Sequence, residues 1–381
     1  MCECQNKETE LSLATIAAQA GNHEDERGAV ALPIYLSSNY RHPTLKEAIN
    51  FDATKDYTYS RLSTPNRRAV EKTLAKLEGG TATFAVSSGM AAVQLALSIL
   101  ETGDRLISLD DLYGGDFRYF DYLKQHAGIE FDQWDGRSIA ELVAKLTPKT
   151  RIVWLETPSN PTMKEIDIQA VAAAVHEYDP QIKVIVDNTF YTPIYQRPLL
   201  KGADVVIHSA TKYLSGHNDL LGGAVVVKDE KLTQAYYDYY ITTGDTLDSF
   251  DSWLLLRSLK TLKVRMAQHT KNAQAVVEYL KQVPEVEKVL YPGKGGMISF
   301  YLKEADQVER LLDHVKVITF AESLGGIESL ITIPYYQTHA DVSVEQRQRL
   351  GITPKLLRLS VGLEDAADLI ADIKQALAAT R

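Results

Sequence analysis

The sequence predicts an α/β protein: a large domain on a mostly parallel sheet, followed by a smaller C-terminal α+β domain. Three observations carry this. Short apolar runs alternate with helix-period segments up to about residue 250. Those runs are nearly continuous, as strands buried on both faces are. Beyond that point a long helical stretch leads into short strands and a last helix. A chain of 381 residues also exceeds one typical core.

The elements follow in order. Residues 1–60 are irregular and polar apart from AVALPIYL and read as an N-terminal arm and inter-subunit segment; 61–250 form the large domain and 251–381 the small one. Val70, Leu74 and Leu77 share a helical face that Gly79-Gly80 closes. TFAV (83–86) is strand-like, and Met90 to Leu100 is apolar on nearly all sides, a buried helix. RLISLD (105–110) is a strand; Ser138 and Glu141 form a capping box that opens a helix through Leu146. RIVWLE (151–156) is a strand and Ile168–Tyr178 a helix, followed by strands at 182–187, 203–208 and 223–227. Trp253 to Val283 reads as one helical stretch, MISFYL and LLRLS as strands, and Asp365 to Ala378 as the final helix.

Composition narrows the function. Apolar residues are 45% and charged residues 24%, an ordinary globular mix. With 41 Lys and Arg against 50 acids, the net charge of −9 argues against a nucleic-acid or anionic-membrane surface. Cys2 and Cys4 are the only cysteines, both in a polar start without a signal-peptide pattern, so a cytoplasmic protein without a disulfide framework is expected. The most apolar window, Phe84 to Leu100, is broken by Ser87, Ser88, Gly89 and Gln94, and no membrane span is expected.

The chemistry concentrates at strand ends, where ligands of parallel sheets sit. IKVIVDNTF ends a strand in Asp187, and HSATKYLSGH sets Lys212 among Ser209, Thr211 and Ser215 just after another. A lysine among small hydroxyl residues could hold an aldehyde as a Schiff base, and a strand-end acid could keep a pyridine nitrogen protonated. That pairing suits pyridoxal 5'-phosphate (PLP). FAVSSGMAAVQ offers a helix N-terminus for a phosphate, with Gly89 allowing close approach. Tyr113, before two glycines, could lie on a planar ring. Tyr59 and Arg61 pair a phenol with a guanidinium suited to phosphate. Asn160, in ETPSNP, could bond a ring hydroxyl, and Arg358, inside the apolar LLRLS, calls for a carboxylate partner.

SATKYLSGH, VDNTF, ETPSNP, SSGMAA, YGG and AESLGGIESL together resemble the cysteine/methionine-metabolism family of PLP enzymes, from about residue 14 to the C-terminus. The family includes cystathionine γ-synthases, cystathionine β- and γ-lyases and methionine γ-lyases. The resemblance implies a fold-type I, aspartate-aminotransferase-like subunit in a homotetramer, a dimer of dimers with shared active sites. It implies Lys212 as the cofactor lysine, Asp187 at the pyridine nitrogen and Tyr113 on the ring. Gly89, Met90, Ser209 and Thr211 would hold the phosphate, with Tyr59 and Arg61 reaching in from a neighbouring subunit. Arg358, Asn160, Ser323, Glu322 and Arg118 fall on the substrate side; no metal is implied.

Glu322 in FAESLGG is similar to the γ-synthase and γ-lyase pattern, and YGGD lacks the cysteine of methionine γ-lyases. Thr58 stands where relatives often carry an acid, Ser63-Thr64-Pro65-Asn66 replaces the usual Gly-Asn-Pro-Thr, and residues 291–300 shorten a longer insert. The expected activity is a carbon–sulfur lyase of transsulfuration, γ-eliminating L-cystathionine to cysteine, 2-oxobutanoate and ammonia. Alternatives are a cystathionine γ-synthase acting on O-acylhomoserine, a cystathionine or cysteine β-lyase, and a catalytically silent binding homologue.

Overall fold

Residues 11–52 and 56–379 are described by a computed structural model; Cys2 and Cys4 lie outside them. The first sheet holds seven strands: β1 (Ala82–Val86), β2 (Arg105–Leu109), β3 (Glu130–Trp134), β4 (Thr150–Glu156), β5 (Lys183–Asp187), β6 (Val205–Ser209) and β7 (Gly223–Val227). Their order is β1-β7-β6-β5-β4-β2-β3. Pairs from β3 through β6 are parallel, whereas β7 runs antiparallel to both β1 and β6. The sheet is therefore mostly parallel, as expected.

Local chemistry sets the element ends. The Pro65–Glu78 helix starts at Thr64, whose hydroxyl accepts from Arg67 N–H, with proline in its first turn. It stops at Gly79, whose φ of 78° suits a residue without Cβ. Ser138 accepts from Glu141 N–H at 3.3 Å, the serine half of the expected box. Val184, Ile185 and Val186 are fully buried because helices cover both faces of the sheet. Each such side chain contributes roughly 1.5–3 kcal/mol through burial.

The second sheet contains β8 (Val286–Leu290), β9 (Met297–Leu302), β10 (Thr319–Phe320), β11 (Leu330–Thr332) and β12 (Leu356–Ser360), in the order β10-β11-β12-β9-β8. Its core includes Ile298, Phe300, Leu357 and Leu359, sealed by the Leu262–Leu280 and Ala366–Ala378 helices through Val276, Leu280, Leu369 and Ile373. The stretch expected as one helix from Trp253 to Val283 is two, Ser249–Leu259 and Leu262–Leu280. Buried Arg265 sits just past the break and donates to the Ser258, Tyr213 and Leu214 carbonyls. The guanidinium thereby ties the end of the first helix, through Ser258, to the Tyr213-Leu214 segment. Among the described residues, no helix is long and apolar enough to cross a membrane.

Candidate active site

The carboxyl ends of β4, β5 and β6 open into a cleft of about 210 Å³, closed on the far side by β12 and the segment before β11. Lys212, Asp187, Tyr113, Gly89, Met90, Ser209, Thr211, Asn160, Ser323, Glu322 and Arg358 all line it. Residues dispersed over 270 positions of sequence meet there because both sheets deliver strand ends to one place.

Lys212 Nζ donates to Ser323 Oγ at 2.8 Å. Burial pushes its ammonium down to about 8; Arg358 acts in the same direction and Glu322 opposes it. An amine-directed reagent applied to the cofactor-free protein should modify Lys212 half-maximally near pH 8, followed by peptide mapping. Modification that waits for pH 10 would show that the amine keeps its ordinary basicity.

Arg358 is 2% exposed. Nη1 donates to Asn160 Oδ1 at 2.9 Å and Nη2 to the Ser323 carbonyl at 3.2 Å, while its Nε–H has no partner. Burial lowers it to about 10, leaving it a cation at neutral pH. A buried guanidinium without a facing carboxylate hydrogen bond suits an anionic ligand. Ser323 adopts φ 89°, a left-handed conformation costly for a residue with a Cβ, and thereby touches both Lys212 and Arg358.

Tyr113 caps the Gly114–His126 helix, with its backbone N–H donating to Glu156 Oε2 at 2.9 Å. Its ring covers Gly115: a Cβ there would stand 2.4 Å from Tyr113 Cε1. Burial raises the phenol, with Asp116 adding to the effect, so Tyr113 is a proton donor at neutral pH. Gly89 opens the Gly89–Leu97 helix, capped by Ser88. A Cβ on Gly89 would lie 2.9 Å from Ser209 Oγ, so only glycine leaves room for this approach. That turn presents backbone N–H groups at a helix N-terminus beside two serines, a fit for a phosphate. Thr211 exchanges hydrogen bonds with Gly222 through its hydroxyl.

Asp187 accepts from Thr189 N–H at 2.8 Å. Burial raises its carboxyl, opposed by Thr189 and by His208. Beside it lie Glu156, which ends the RIVWLE strand, and Asp116, which sequence reasoning did not single out; one oxygen from each of the three lies within 4.8 Å of the others. Two like charges at that distance repel by about 3–4 kcal/mol at an effective dielectric of roughly 20. Burial first, then Asp187, hold Asp116 and Glu156 well above the usual carboxylate range. This buried acidic end suits a cationic ring nitrogen, and the helix N-terminus across the cleft suits a phosphate.

Three expected residues lie elsewhere. Tyr59 is 48% exposed and Arg61 is exposed, its guanidinium reaching the Ile241 carbonyl. Neither lines the cleft of its own chain. Arg118 pairs with Asp341 at 2.6 Å outside the cleft lining, although it acts electrostatically on Tyr113. Within one chain it is an exposed ion pair.

A sequence model of the family described as Cys/Met metabolism PLP-dependent enzyme matches residues 14–378. This chain belongs to that family. The fold-type I architecture, the PLP dependence and a place in cysteine and methionine metabolism expected from the sequence stand with it. Over 374 residues, covering 98% of this enzyme and 96% of the relative, it is 49% identical to a cystathionine gamma-synthase/O-acetylhomoserine (thiol)-lyase of Bacillus subtilis (strain 168). It is 40% identical over 380 residues to a cystathionine gamma-lyase of the same strain, covering 95% and 98%. The crystal structure of cystathionine gamma synthase from Xanthomonas oryzae pv. oryzae in complex with aminoacrylate and cysteine superposes with a TM-score of 0.92 at 38% identity, covering 98% of this PLP enzyme and 99% of that chain.

Proposed function

We propose that this PLP enzyme makes and breaks carbon–sulfur bonds at the γ-carbon of a four-carbon amino acid. The reading rests on one observation: an amine with lowered basicity, Lys212, and a buried guanidinium, Arg358, converge on Ser323. That arrangement lets an α-amino acid dock by its carboxylate while a base waits at its α-carbon. We place γ-replacement first, cysteine displacing the acyl group of an O-acylated homoserine. Supporting that order is the 49% identity to a protein named as a γ-synthase, against 40% to one named as a γ-lyase. The γ-elimination of L-cystathionine favoured by the sequence pattern is the second reading, supported by Glu322 at the exposed mouth. A carboxylate there could meet the distal ammonium of cystathionine.

PLP, when bound, would supply an electron sink for the carbanion at the substrate α-carbon. Lys212 would carry it, Asp187 would face its ring nitrogen, and Gly89, Met90, Ser209 and Thr211 would hold its phosphate. The chain's own groups would then divide the work. Arg358 and Asn160 orient the substrate carboxylate. Lys212, neutral once its proton is lost near pH 8, takes the α-proton and returns protons at neighbouring carbons. Tyr113, kept as a phenol by burial, donates to the leaving group. Partitioning between replacement and elimination would then depend on whether a thiol adds at the γ-carbon before that carbon is protonated; protonation there, followed by hydrolysis at the α-carbon, gives 2-oxobutanoate and ammonia.

Product analysis tests this directly, with L-cystathionine, L-cysteine, and O-acetylhomoserine plus cysteine offered in parallel. Cystathionine from the last mixture supports replacement. 2-Oxobutanoate from cystathionine alone supports the lyase reading, and turnover of none would sink both. Glu322→Val should cut kcat/KM for cystathionine about tenfold, ~1.4 kcal/mol. Cysteine, too short to reach that carboxylate, should be nearly unaffected. Equal losses on both would make Glu322 a structural residue.

We also propose that a second copy of this chain completes the site through Tyr59 and Arg61. The same arm exposes Val30, Leu36, Leu45 and Ile49 by 74–77%, apolar surface that a partner would cover. Arg61→Ala should weaken cofactor retention roughly tenfold to a hundredfold, the scale of one charge-assisted hydrogen bond at ~1.5–3 kcal/mol. Equilibrium dialysis reads that loss. A fully active monomer at low concentration would refute the shared site.

A further inference from the structure

Asp116 is the cleft carboxyl whose job the preceding reading leaves open. Glu156 accepts the Tyr113 N–H and Asp187 the Thr189 N–H, but Asp116 Oδ2 is sealed from solvent without a hydrogen-bond partner. The side chain is 1% exposed and lines the same cleft. Its neighbours are identifiable element by element. From its own helix comes the Tyr113 phenol; from β4, Glu156 and the Trp154 indole N–H; from β5, Asp187. On β6, His208 acts on Asp187 while its Nε2 is tied to buried Glu78 at 2.7 Å. Lys212 and Arg358 are engaged with Ser323 and Asn160. Among the described residues, no cation acts on Asp116 to offset its two acidic neighbours. Three clustered, buried carboxyls of this kind cannot all be ionised at once.

We propose that Asp116 loses its proton when this protein takes up its cofactor. In the empty cleft it is an un-ionised acid; when a protonated ring nitrogen comes to rest against Asp187, Asp116 gives up its proton to solvent, and two carboxylates then face one cation. Where the ring arrives unprotonated, the same proton passes from the Asp116 carboxyl to the ring nitrogen, and no other bond changes. The inference rests on Asp187 being the ring-nitrogen partner. Asp116 is thus a positioning residue for the cofactor's charge.

The sign follows from linkage. A nearby cation lowers the carboxyl's proton affinity, so the loaded state binds fewer protons than the empty one. Below both titrations Asp116 is neutral in either state and contributes nothing. As pH rises between them, its contribution to affinity grows by up to about tenfold per pH unit.

The experiment measures PLP dissociation constants of apoprotein from about pH 6 to about pH 9, for the natural sequence and the near-isosteric Asp116→Asn. Titrations of the cofactor and of Lys212 are common to both proteins and cancel in the ratio of constants. That ratio should climb with pH. A flat ratio would overturn the proposal. A second probe is a PLP analogue with C–H in place of the ring nitrogen. With it the ratio should stay flat, and a climbing ratio there would overturn the proposal equally. Asp187→Asn separates the underlying assumption: if it weakens PLP and the nitrogen-free analogue alike, Asp187 does not face the nitrogen, whatever Asp116 does.

Discussion

Lys212→Ala should reduce kcat/KM by at least ~10²–10⁴-fold, the usual contribution of a positioned acid–base group, while the protein stays folded. The side chain makes one hydrogen bond, to Ser323 Oγ. Its basicity is lowered in the folded chain to about 8, so below that pH the native state carries a buried cation at a cost. That cost is fully present below about 8 and disappears above the ordinary lysine value, because only there is the unfolded chain neutral too. The alanine variant should therefore melt no lower than the parent at pH 7. Borohydride reduction of the PLP-loaded parent should fix the cofactor to a peptide containing Lys212. Label on another lysine, or activity kept in the variant, would remove Lys212 from the centre of the mechanism.

Arg358→Leu should be nearly as damaging, but in another parameter. Truncating one member of a buried hydrogen-bonded charge pair costs about 2–5 kcal/mol, so kcat/KM for every α-amino acid substrate should fall roughly 30- to 5,000-fold, mainly through KM. Arg358→Lys should recover only part of this, because an ammonium keeps the charge and loses the planar fork that now serves Asn160 and Ser323. Substrate analogues without the carboxylate discriminate: their weak binding should be unchanged in the leucine variant. If they lose as much as the amino acids do, Arg358 supports the cleft without gripping the carboxylate.

Both residues were legible in the sequence because each breaks a local rule: a charge inside an apolar strand, and a lysine among hydroxyls just past a strand end. Asp116 followed no such rule, since an acid in the first turn of a helix is the ordinary complement to its dipole. Only the fold shows that it points into the cleft. Strand β3 escaped notice because EFDQW is a partly exposed edge strand carrying two acids, with only Trp134 fully buried. The reversed direction of β7 could not be read from GAVVV, because an apolar run looks the same in either direction. The helix break at Lys260-Thr261 lacks glycine and proline and reflects tertiary bonds from Arg265. Tyr59 and Arg61 show a different limit: their motif singled them out, yet neither lines the cleft of its own chain.

His339 fastens the two sheets where the chemistry sits. Buried, with its imidazolium disfavoured by burial down to about 4, it stays neutral, and its Nε2 lies 3.1 Å from both the Leu112 and the Asn160 carbonyls. Thr338, beside it, packs its carbonyl where a Cβ on Gly114 would stand at 2.4 Å. The base and the acids ride on one sheet, the guanidinium on the other, so the cleft is also the seam. Its geometry is therefore only as exact as the packing of the two sheets at that seam. Damage along that joint, even far from the cleft, should show first as lost turnover and only later as lost structure.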